Sequence, residues 1–428
     1  MSEVKTIKIG LLGLGTVGMG VYEIIERQKK AWVHKTGANL EVKKILVHNM
    51  KKERPGVPGE LLTDSFEEIL KDEEIKIIIE VTGGMEPAKS RILAAMQAGK
   101  HVVSANKDLI AVHGRELLDA AEENQVDLMF EAAVAGGIPI IRPLKQCLMA
   151  NEIDQVMGIV NGTTNYILTK MYEDSMDFGE ALALATELGY AEADPTADIE
   201  AYDAGRKAAI LASLAFHSRV VFDDVFTEGI TKITARDIEY AKEFGETIKL
   251  LAVAHCHENG IHVGVHPMMI PVNHPLASVR EAFNAVFVHG DAVDDVMFYG
   301  RGAGRYPTAS AVMGDVIDVA RNIVTGSNGR IGCTCFRKLP IIDFKDVKNK
   351  FFLRIQVENR PGVLAMIASI FGVHMVSISK VIQKNAVGAS AELVIVTDPV
   401  PEVQMQDALE HMKTLTAVKE VCTVIREL

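Results

Sequence analysis

The sequence has little of what marks secreted, membrane-spanning or nucleic-acid-binding proteins. Its 428 residues contain only five cysteines, an odd number spread along the chain, which disfavours a disulfide framework and fits reduced thiols in a cytoplasm. The N-terminus lacks the pattern of a signal peptide, and apolar runs such as Ile75–Val81 are too short to cross a membrane. The net charge of −12 argues against a nucleic-acid partner. We therefore expect a cytoplasmic protein with neither a membrane nor a nucleic acid as its partner.

The composition is that of a folded protein with more than one core. An apolar fraction of 48% and a charged fraction of 24% are typical of globular chains, and the length suggests two to three domains. Residues 5–135 alternate β-branched runs with amphipathic helical patterns, which predicts an α/β, doubly wound (Rossmann) domain. Its expected strands are Thr6–Leu12, Glu41–Val47, Ile75–Val81, His101–Ser104 and Asp127–Glu131.

The pattern changes after residue 135 and again after residue 348. We expect a dinucleotide-binding domain over 1–135 and an α+β catalytic and dimerisation domain over 136–325, whose last helix, 308–324, returns to the first domain. Turn residues over 326–348 indicate a linker. The remainder, 349–428, has the order β-α-β-β-α-β, which predicts a ferredoxin-like domain.

A glycine-rich segment directly follows the first predicted strand. Gly13, Gly15 and Gly18, with Thr16 and Val17 between them, form a GxGxxG fingerprint that opens a helix. The first glycine allows the tight turn, the second lets the backbone approach a pyrophosphate, and the third allows close helix–strand packing. In this context the motif predicts a dinucleotide cofactor.

The loop after the second strand indicates which nicotinamide cofactor binds. NAD-binding proteins usually carry an acid at this strand end, but here the chain reads Val47, His48, Asn49, followed by Lys51 and Lys52. A cationic loop suits a 2′-phosphate, so we expect NADP, with NAD as the alternative. An ordinary solvated loop would look the same.

Two lysines are candidates for the chemistry. Asp203 and Lys207 lie four residues apart on a largely apolar helix, so they share one face and Lys207 emerges in a partly buried cleft. A desolvated lysine can exchange a proton near neutral pH, which oxidation of an alcohol requires. Lys107 follows the fourth strand, at the edge of the sheet where ligands bind. An exposed ion pair and a surface lysine are the alternatives.

Several long motifs resemble the homoserine dehydrogenase family. They are GLGTVG, SANKDLIA, FEAAVAGGIPII, NGTTNYIL, GYAEADPTADIEAYDAGRKAAIL and GRGAGRYPTASAVMGD. The resemblance runs from about residue 7 to residue 324. The segment RPGVLAMIASIF resembles the first loop and helix of an ACT domain. The resemblance implies interconversion of L-homoserine and L-aspartate 4-semialdehyde in threonine, methionine and isoleucine synthesis, by a homodimer or homotetramer, with threonine as the leading effector at the ACT domain.

The resemblance also assigns roles to individual residues. It implies that Lys207 is the proton donor, that Lys107 is a second active-site lysine and that Asp203 orients Lys207. The substrate side is implied to comprise Glu192, which meets the amino group, with Asp198, Tyr190, Gly162 and Thr163. The cofactor side comprises the fingerprint with His48, Lys51, Thr82, Ser104, Lys107, Gly189 and Gly302. A monovalent cation, sodium by analogy, is implied at Glu131, Val134, Gly136 and Ile138. His48 departs from the arginine common in NADP-using members.

Two other classes of protein are the alternatives. A dehydrogenase of the aspartate-semialdehyde type needs a nucleophilic cysteine, but Cys147 and Cys256 lack the turn that would present a thiolate. A catalytically dead sensor would have lost the lysine–acid constellation, which is present here.

Overall fold

The N-terminal third of the chain alternates strands and helices, as its periodicity predicts. The computed structural model of the chain describes residues 4–330 and 332–428. The elements of this part are β1 (Thr6–Leu12), α1 (Thr16–Arg27), α2 (Trp32–Thr36), β2 (Asn39–Leu46), β3 (Leu62–Thr63), α3 (Phe66–Leu70), β4 (Ile75–Glu80), α4 (Ala88–Gln97), β5 (His101–Ser104), α5 (Lys107–Glu123) and β6 (Leu128–Met129).

The middle of the chain mixes helices with longer strands. Its elements are β7 (Ile153–Ile159), α6 (Gly162–Glu173), α7 (Phe178–Glu187), α8 (Thr196–Ile199), α9 (Tyr202–Ala215), β8 (Phe226–Thr227), α10 (Ala235–Glu243), β9 (Glu246–His257), β10 (Gly260–Pro271), β11 (Phe283–Gly290), β12 (Asp294–Arg301) and α11 (Arg305–Thr325).

The C-terminal part follows the predicted β-α-β-β-α-β order, with one short additional strand. Its elements are β13 (Lys348–Glu358), α12 (Val363–Val373), β14 (Ile378–Val387), β15 (Ser390–Thr397), β16 (Val400–Pro401), α13 (Glu402–Lys413) and β17 (Val418–Glu427).

The first sheet is parallel and has the strand order β3-β2-β1-β4-β5-β6. The order reverses between β1 and β4, and ligands bind at such a switch point, beyond the carboxyl ends of the strands. Strand β4 is an almost continuous apolar run because helices cover both faces of a parallel sheet. The predicted Rossmann-like domain is confirmed.

Helix α11 packs against α1. Both belong to one compact unit, formed by residues 1–154, 209–222 and 284–338. Gly20 of α1 allows this packing, because a Cβ there would lie 3.0 Å from the Cβ of Ala309 and 2.7 Å from the carbonyl oxygen of Arg305. Ala309, Val312 and Val316 of α11 thus join the core beneath β1 and β2.

The second unit comprises residues 155–208, 223–283 and 339–428. Within it the strands run in the order β7-β9-β10-β17-β13-β15-β14. Strands β9 and β10 form a long antiparallel hairpin, and β10 pairs in parallel with β17 through Met268↔Arg426 and Met269↔Glu427. The C-terminal strands therefore extend the sheet of the central segment.

The C-terminal sheet itself has the order β17-β13-β15-β14, with antiparallel neighbours. Numbered within the segment this is 4-1-3-2, the ferredoxin-like arrangement. Helices α12 and α13 cover one face, and Phe351, Ile355, Ile367 and Met405 are among the fully buried residues of its core. The identity of this segment as an ACT domain remains a prediction.

The apolar faces of the helices pack into the hydrophobic cores of the protein. Among residues 4–330 and 332–428, no helix combines the length and the apolar character needed to span a bilayer.

Candidate active site

The glycine fingerprint forms the turn between β1 and α1. Gly13 has a φ of +100°, which favours glycine, and its N–H donates to the carbonyl of Leu46 at 3.0 Å. Gly15 precedes α1 and has open space where a Cβ would stand, whereas a Cβ on Gly18 would lie 2.1 Å from the carbonyl oxygen of Gly13. The turn therefore presents free backbone N–H groups at the positive end of α1, as a pyrophosphate site requires.

A buried carboxylate organises the ends of β4 and β5. One oxygen of Glu80 accepts hydrogen bonds from the backbone N–H (2.8 Å) and the hydroxyl (2.6 Å) of Thr82, and the other accepts from the Ser104 hydroxyl (2.8 Å). Thr82 and Ser104 were predicted cofactor-side residues; Glu80 was not, because it ends an apolar strand and looks like part of the sheet. A carboxylate closing an apolar run at the ligand-binding edge was the signal that could have revealed it.

Lys107 is the first residue of α5, at the same edge of the parallel sheet. Asn106 caps this helix by accepting the Leu109 N–H at 3.2 Å, and its amide donates to the carbonyl of Gly84 at 2.7 Å. These contacts hold the backbone from which the half-buried Lys107 side chain extends. Thr82, Ser104 and Lys107 all lie at the same edge of the sheet.

The second predicted cluster lies entirely in the other unit and is centred on Asn161. The Asn161 amide donates to Asp198 at 2.6 Å and to Asp203 at 2.9 Å. Asp203 accepts from the Lys207 ammonium at 2.6 Å, and Lys207 also donates to the carbonyl of Val160 at 2.8 Å. Both side chains of the Asp203–Lys207 pair are only 13% exposed, so the predicted contact is not a surface ion pair.

Asn161 was missed from the sequence, although it connects the whole cluster. Its Oδ1 accepts the Thr164 N–H at 2.9 Å and thereby caps α6, while its amide group holds the two aspartates. An asparagine immediately before the Gly162–Thr163 helix start is a recognisable N-cap, but a cap alone does not indicate a second role. Burial of Asp198 raises the pKa of its carboxyl, the nearby Asp203 raises it further, and the Asn161 amide partly offsets this.

Tyr190 and Thr163 join the segment 189–198 to the start of α6. The Thr163 hydroxyl donates to the carbonyl of Tyr190 at 2.7 Å, and the Tyr190 ring lies 4.7 Å from that of Tyr166. Gly189, with a φ of +76°, makes the turn after α7. Glu192 is exposed in the loop that follows, near enough to Asp198 for its charge to act on it. The structure thus gathers the predicted substrate residues around Asn161.

Comparison with known proteins decides which family carries such a site. Residues 139–317 match the family model described as Homoserine dehydrogenase, and residues 13–131 match the one described as Homoserine dehydrogenase, NAD binding domain. A homoserine dehydrogenase of Corynebacterium glutamicum is 47% identical over 99% of this chain and 96% of its own length. The chain belongs to the homoserine dehydrogenase family.

Solved structures of homoserine dehydrogenases share the fold of this chain. A homoserine dehydrogenase from Thiobacillus denitrificans superposes with a TM-score of 0.94 and is 40% identical, covering 99% of both chains. A hyperthermophilic archaeal homoserine dehydrogenase in complex with NADPH has a TM-score of 0.64 and is 26% identical, covering 76% of this chain and 100% of its own.

Membership of this family establishes which reaction the protein catalyses. The protein is a nicotinamide-dependent oxidoreductase that acts on the CH–OH group of L-homoserine, and its substrates are L-homoserine and L-aspartate 4-semialdehyde. The glycine turn belongs to one unit and the Asn161 cluster to the other.

The loop that the family resemblance assigned to a cation is tightly packed. The Glu131 carboxylate accepts the backbone N–H groups of Ile140 (2.7 Å), Ile141 (2.8 Å) and Arg142 (2.8 Å). A Cβ on Gly136, whose φ is +54°, would lie 2.1 Å from the carbonyl oxygen of Gly302. The structure therefore brings this loop and the predicted cofactor-side Gly302 into contact.

A second buried acid, Asp315, lies beside Glu131. Asp315 accepts the Glu131 N–H at 2.8 Å and pairs with Arg142 at 2.7 Å. Complete burial and the neighbouring Glu131 raise the pKa of Asp315 to about 7, although the Glu131 N–H and Arg142 act in the opposite direction.

The loop after β2 holds its shape through its own polar groups. The Asn49 side chain accepts the Lys51 N–H at 2.9 Å, and the Arg54 guanidinium donates to the carbonyls of Lys52 (2.7 Å) and Asn49 (2.9 Å). Arg54 is therefore occupied within the loop, while His48, Lys51 and Lys52 are exposed.

Proposed function

We propose that Lys207 transfers the hydroxyl proton in the interconversion of L-homoserine and L-aspartate 4-semialdehyde. The observation that carries this is the hydrogen-bonded series Lys207–Asp203–Asn161–Asp198 in a half-buried cluster. An ammonium has three donors. Asp203 and the Val160 carbonyl accept two of them, which leaves the third for the substrate oxygen.

The remaining residues of the cluster bind and orient the substrate. Glu192 and Asp198 supply carboxylates for the amino group of homoserine, since charge-assisted hydrogen bonds to an ammonium are strong and directional. Gly162, Thr163 and Tyr190 contribute the wall of the pocket at the start of α6. Lys107, which lies outside this cluster at the start of α5, is the second active-site lysine by family resemblance.

In the reducing direction, Lys207 gives its proton to the carbonyl oxygen of the semialdehyde as that carbon is reduced. In the oxidising direction it receives the hydroxyl proton. The nicotinamide, when bound, supplies or accepts the hydride. Asp203 keeps Lys207 aimed at the substrate oxygen. The decrease of NADPH absorbance on addition of L-aspartate 4-semialdehyde tests the overall reaction.

The cofactor pocket comprises Gly13, Gly15, Thr16, Val17 and Gly18 around the pyrophosphate. Thr82 and Ser104, which Glu80 positions, lie at the ends of the neighbouring strands. Gly302 lets the backbone approach the nicotinamide closely, and His48 and Lys51 lie on the ribose side.

Alanine variants of two fingerprint glycines separate folding from cofactor binding. Gly18→Ala forces a carbon against the Gly13 carbonyl, so we expect it to lower stability by about 2 kcal/mol, as overpacking does, and to weaken NADPH binding. Gly15→Ala meets no neighbouring atom, so the melting temperature should stay unchanged while NADPH binding weakens at the pyrophosphate contact. Thermal denaturation and fluorescence titration with NADPH measure both effects. A Gly18→Ala enzyme with normal stability and affinity would contradict this account of the turn.

The preferred cofactor is NADP, with NAD as the weaker alternative. The exposed Lys51 and Lys52 supply positive charge where a 2′-phosphate would lie, and no acid competes at the tip of β2. The NADPH complex of the archaeal relative supports the same cofactor.

Charge reversal in this loop tests the preference. The Lys51→Glu, Lys52→Glu double variant should raise KM for NADPH about tenfold or more and leave KM for NADH nearly unchanged, because only NADPH carries the phosphate. Lys71→Glu, an exposed change in the same unit, is the control for charge reversal away from this loop. Equal kcat/KM of the wild-type enzyme for the two cofactors would rule out phosphate recognition by this loop.

A monovalent cation, sodium by analogy with the family, binds the loop of Glu131, Val134, Gly136 and Ile138. Hard cations take oxygen ligands, and backbone carbonyls of Val134, Gly136 and Ile138 offer them. Over the described residues, no group of three or more His, Cys, Asp or Glu side chains is placed to hold a metal, so the carbonyls would carry the site. The buried carboxylates of Glu131 and Asp315 favour a positive ion nearby.

The C-terminal segment acts as an ACT domain that senses an amino acid, with threonine as the leading effector. Gly362, with a φ of +91°, precedes α12 and leaves open space at the positive end of that helix, which suits a carboxylate. The enzyme works in the cytoplasm as a homodimer or homotetramer.

A further inference from the structure

A cysteine pair lies outside the active-site residues, in the segment that precedes β13. Cys333 is exposed and Cys335 is partly buried, and the Cys335 thiol lies 3.5 Å from the carbonyl oxygen of Ser213. Two residues of chain span at most about 7 Å, which places the two Cα atoms within or close to the range that a disulfide can bridge. The pair is therefore close enough to be oxidised within one chain.

The segment around the pair is held at both ends. On one side, Arg330 donates to the Asn322 side chain at 2.6 Å. On the other, the Arg337 N–H donates to the carbonyl of His217 at 2.7 Å, and the Phe336 ring stacks on His217 with centroids 4.8 Å apart. Described residues on both sides of the pair are therefore anchored by these contacts.

The charges around the two thiols make them unequal. The Cys335 thiol and backbone N–H donate to the sulfur of Cys333, and with the Lys145 ammonium they lower the pKa of Cys333 to about 6, against burial and the charge of Asp119. The same contact with Cys333, and burial, raise the pKa of Cys335, which Arg219 and Lys145 only partly offset. Burial lowers the pKa of Lys145, while both cysteines act to raise it.

Small molecules can reach Cys333. The residue lines a cavity of about 870 Å³ together with Lys145, Arg321, Arg330 and Asp318, and it also borders a second cavity of about 330 Å³. An accessible thiolate beside a second thiol is the arrangement of peroxide-sensing cysteines, in which one sulfur attacks and the other resolves.

We propose that Cys333 and Cys335 form a peroxide-reactive dithiol, with Cys333 as the attacking thiolate and Cys335 as the resolving thiol. The Cys333 sulfur attacks one oxygen of a hydroperoxide, the O–O bond breaks, and the other oxygen leaves as water or an alcohol after taking up a proton. Cys333 becomes a sulfenic acid. The Cys335 sulfur then attacks the Cys333 sulfur, an S–S bond forms, and the sulfenic hydroxyl leaves as water with the Cys335 proton. Two thiols are oxidised to a disulfide, and the peroxide is reduced.

The test oxidises the full-length, reduced enzyme with one equivalent of hydrogen peroxide and maps its cysteines by mass spectrometry. We expect a 333–335 disulfide that dithiothreitol reverses. Cys335→Ser should stop at a sulfenic acid on Cys333, trapped by dimedone, whereas Cys333→Ser should leave Cys335 unmodified. Cys147→Ser, a change at another exposed cysteine, should behave as wild type.

The rate of alkylation provides the second readout. At pH 7, Cys333 should react with iodoacetamide about tenfold faster than Cys147. The lowered pKa of Cys333 raises its thiolate fraction, and weaker nucleophilicity removes only part of that advantage. Lys145→Met should move the midpoint of the pH profile of Cys333 upward from about 6. Equal rates at Cys333 and Cys147, or a disulfide that joins Cys333 to another chain, would overturn the proposal. Normal circular dichroism of each variant shows that the fold is retained.

Discussion

Replacing Lys207 by Ala is expected to lower kcat by at least ~10²-fold, the usual scale for removal of a general acid–base group. The substrate oxygen would lose its proton partner, and Asp203 would lose its 2.6 Å contact. Cofactor binding should remain, because the glycine fingerprint belongs to the other unit. Stopped-flow measurement of hydride transfer with NADPH and L-aspartate 4-semialdehyde gives the rate, and fluorescence titration gives the affinity for NADPH.

Matched variants separate proton transfer from loss of a charge. Lys170 lies on α6 in the same unit as Lys207 and pairs with Glu281 at 3.0 Å. The Lys170→Ala variant should therefore have a kcat close to that of the wild-type enzyme. Asp203→Asn should reduce kcat less than Lys207→Ala does, because Asp203 orients the lysine without carrying the proton. Near-normal turnover by the Lys207→Ala enzyme would exclude the proposed role.

The fold could be predicted where a strong local pattern of residues ends at a recognisable turn or helix cap. The bounds of β1 and β5 are those expected from the sequence, because β-branched runs end at glycine or at a helix cap. Strand β9 and the helices α7 and α10 were not identified. The apolar positions of β9 are nearly all buried, so it lacks the alternation that marks a half-exposed strand.

The active site was predicted where residue type and spacing carry the signal. Asp203 and Lys207 are four residues apart on one helix, so their contact follows from helical geometry. Glu80 and Asn161 could not be found in this way, because their partners, Ser104 for one and Asp198 for the other, lie 24 and 37 residues away. Only the folded chain brings those groups together.

The ion pairs that attach the C-terminal segment to the central segment could not be predicted from the sequence pattern either. Arg354 of β13 pairs with the fully buried Asp237 of α10 at 2.8 Å, and Arg426 of β17 pairs with Glu228 at 2.6 Å. Removing the segment would break both ion pairs and the pairing of β10 with β17, and would thereby disturb the central segment as well. A point substitution is therefore a better probe of sensing than a truncation.

Threonine is expected to inhibit the full-length enzyme, and Gly362→Asp is expected to abolish that inhibition while leaving uninhibited activity unchanged. A carboxylate at position 362 would occupy the positive end of α12 and repel the carboxylate of a bound amino acid. Gly245→Asp is the matched control, because Gly245 also has a positive φ and open space where a Cβ would stand but lies in the turn between α10 and β9. Initial rates at increasing threonine, with calorimetric titration of the same three proteins, measure inhibition and binding. If threonine and the other amino acids of its pathway neither bind nor inhibit the wild-type protein, the C-terminal segment has a structural role instead.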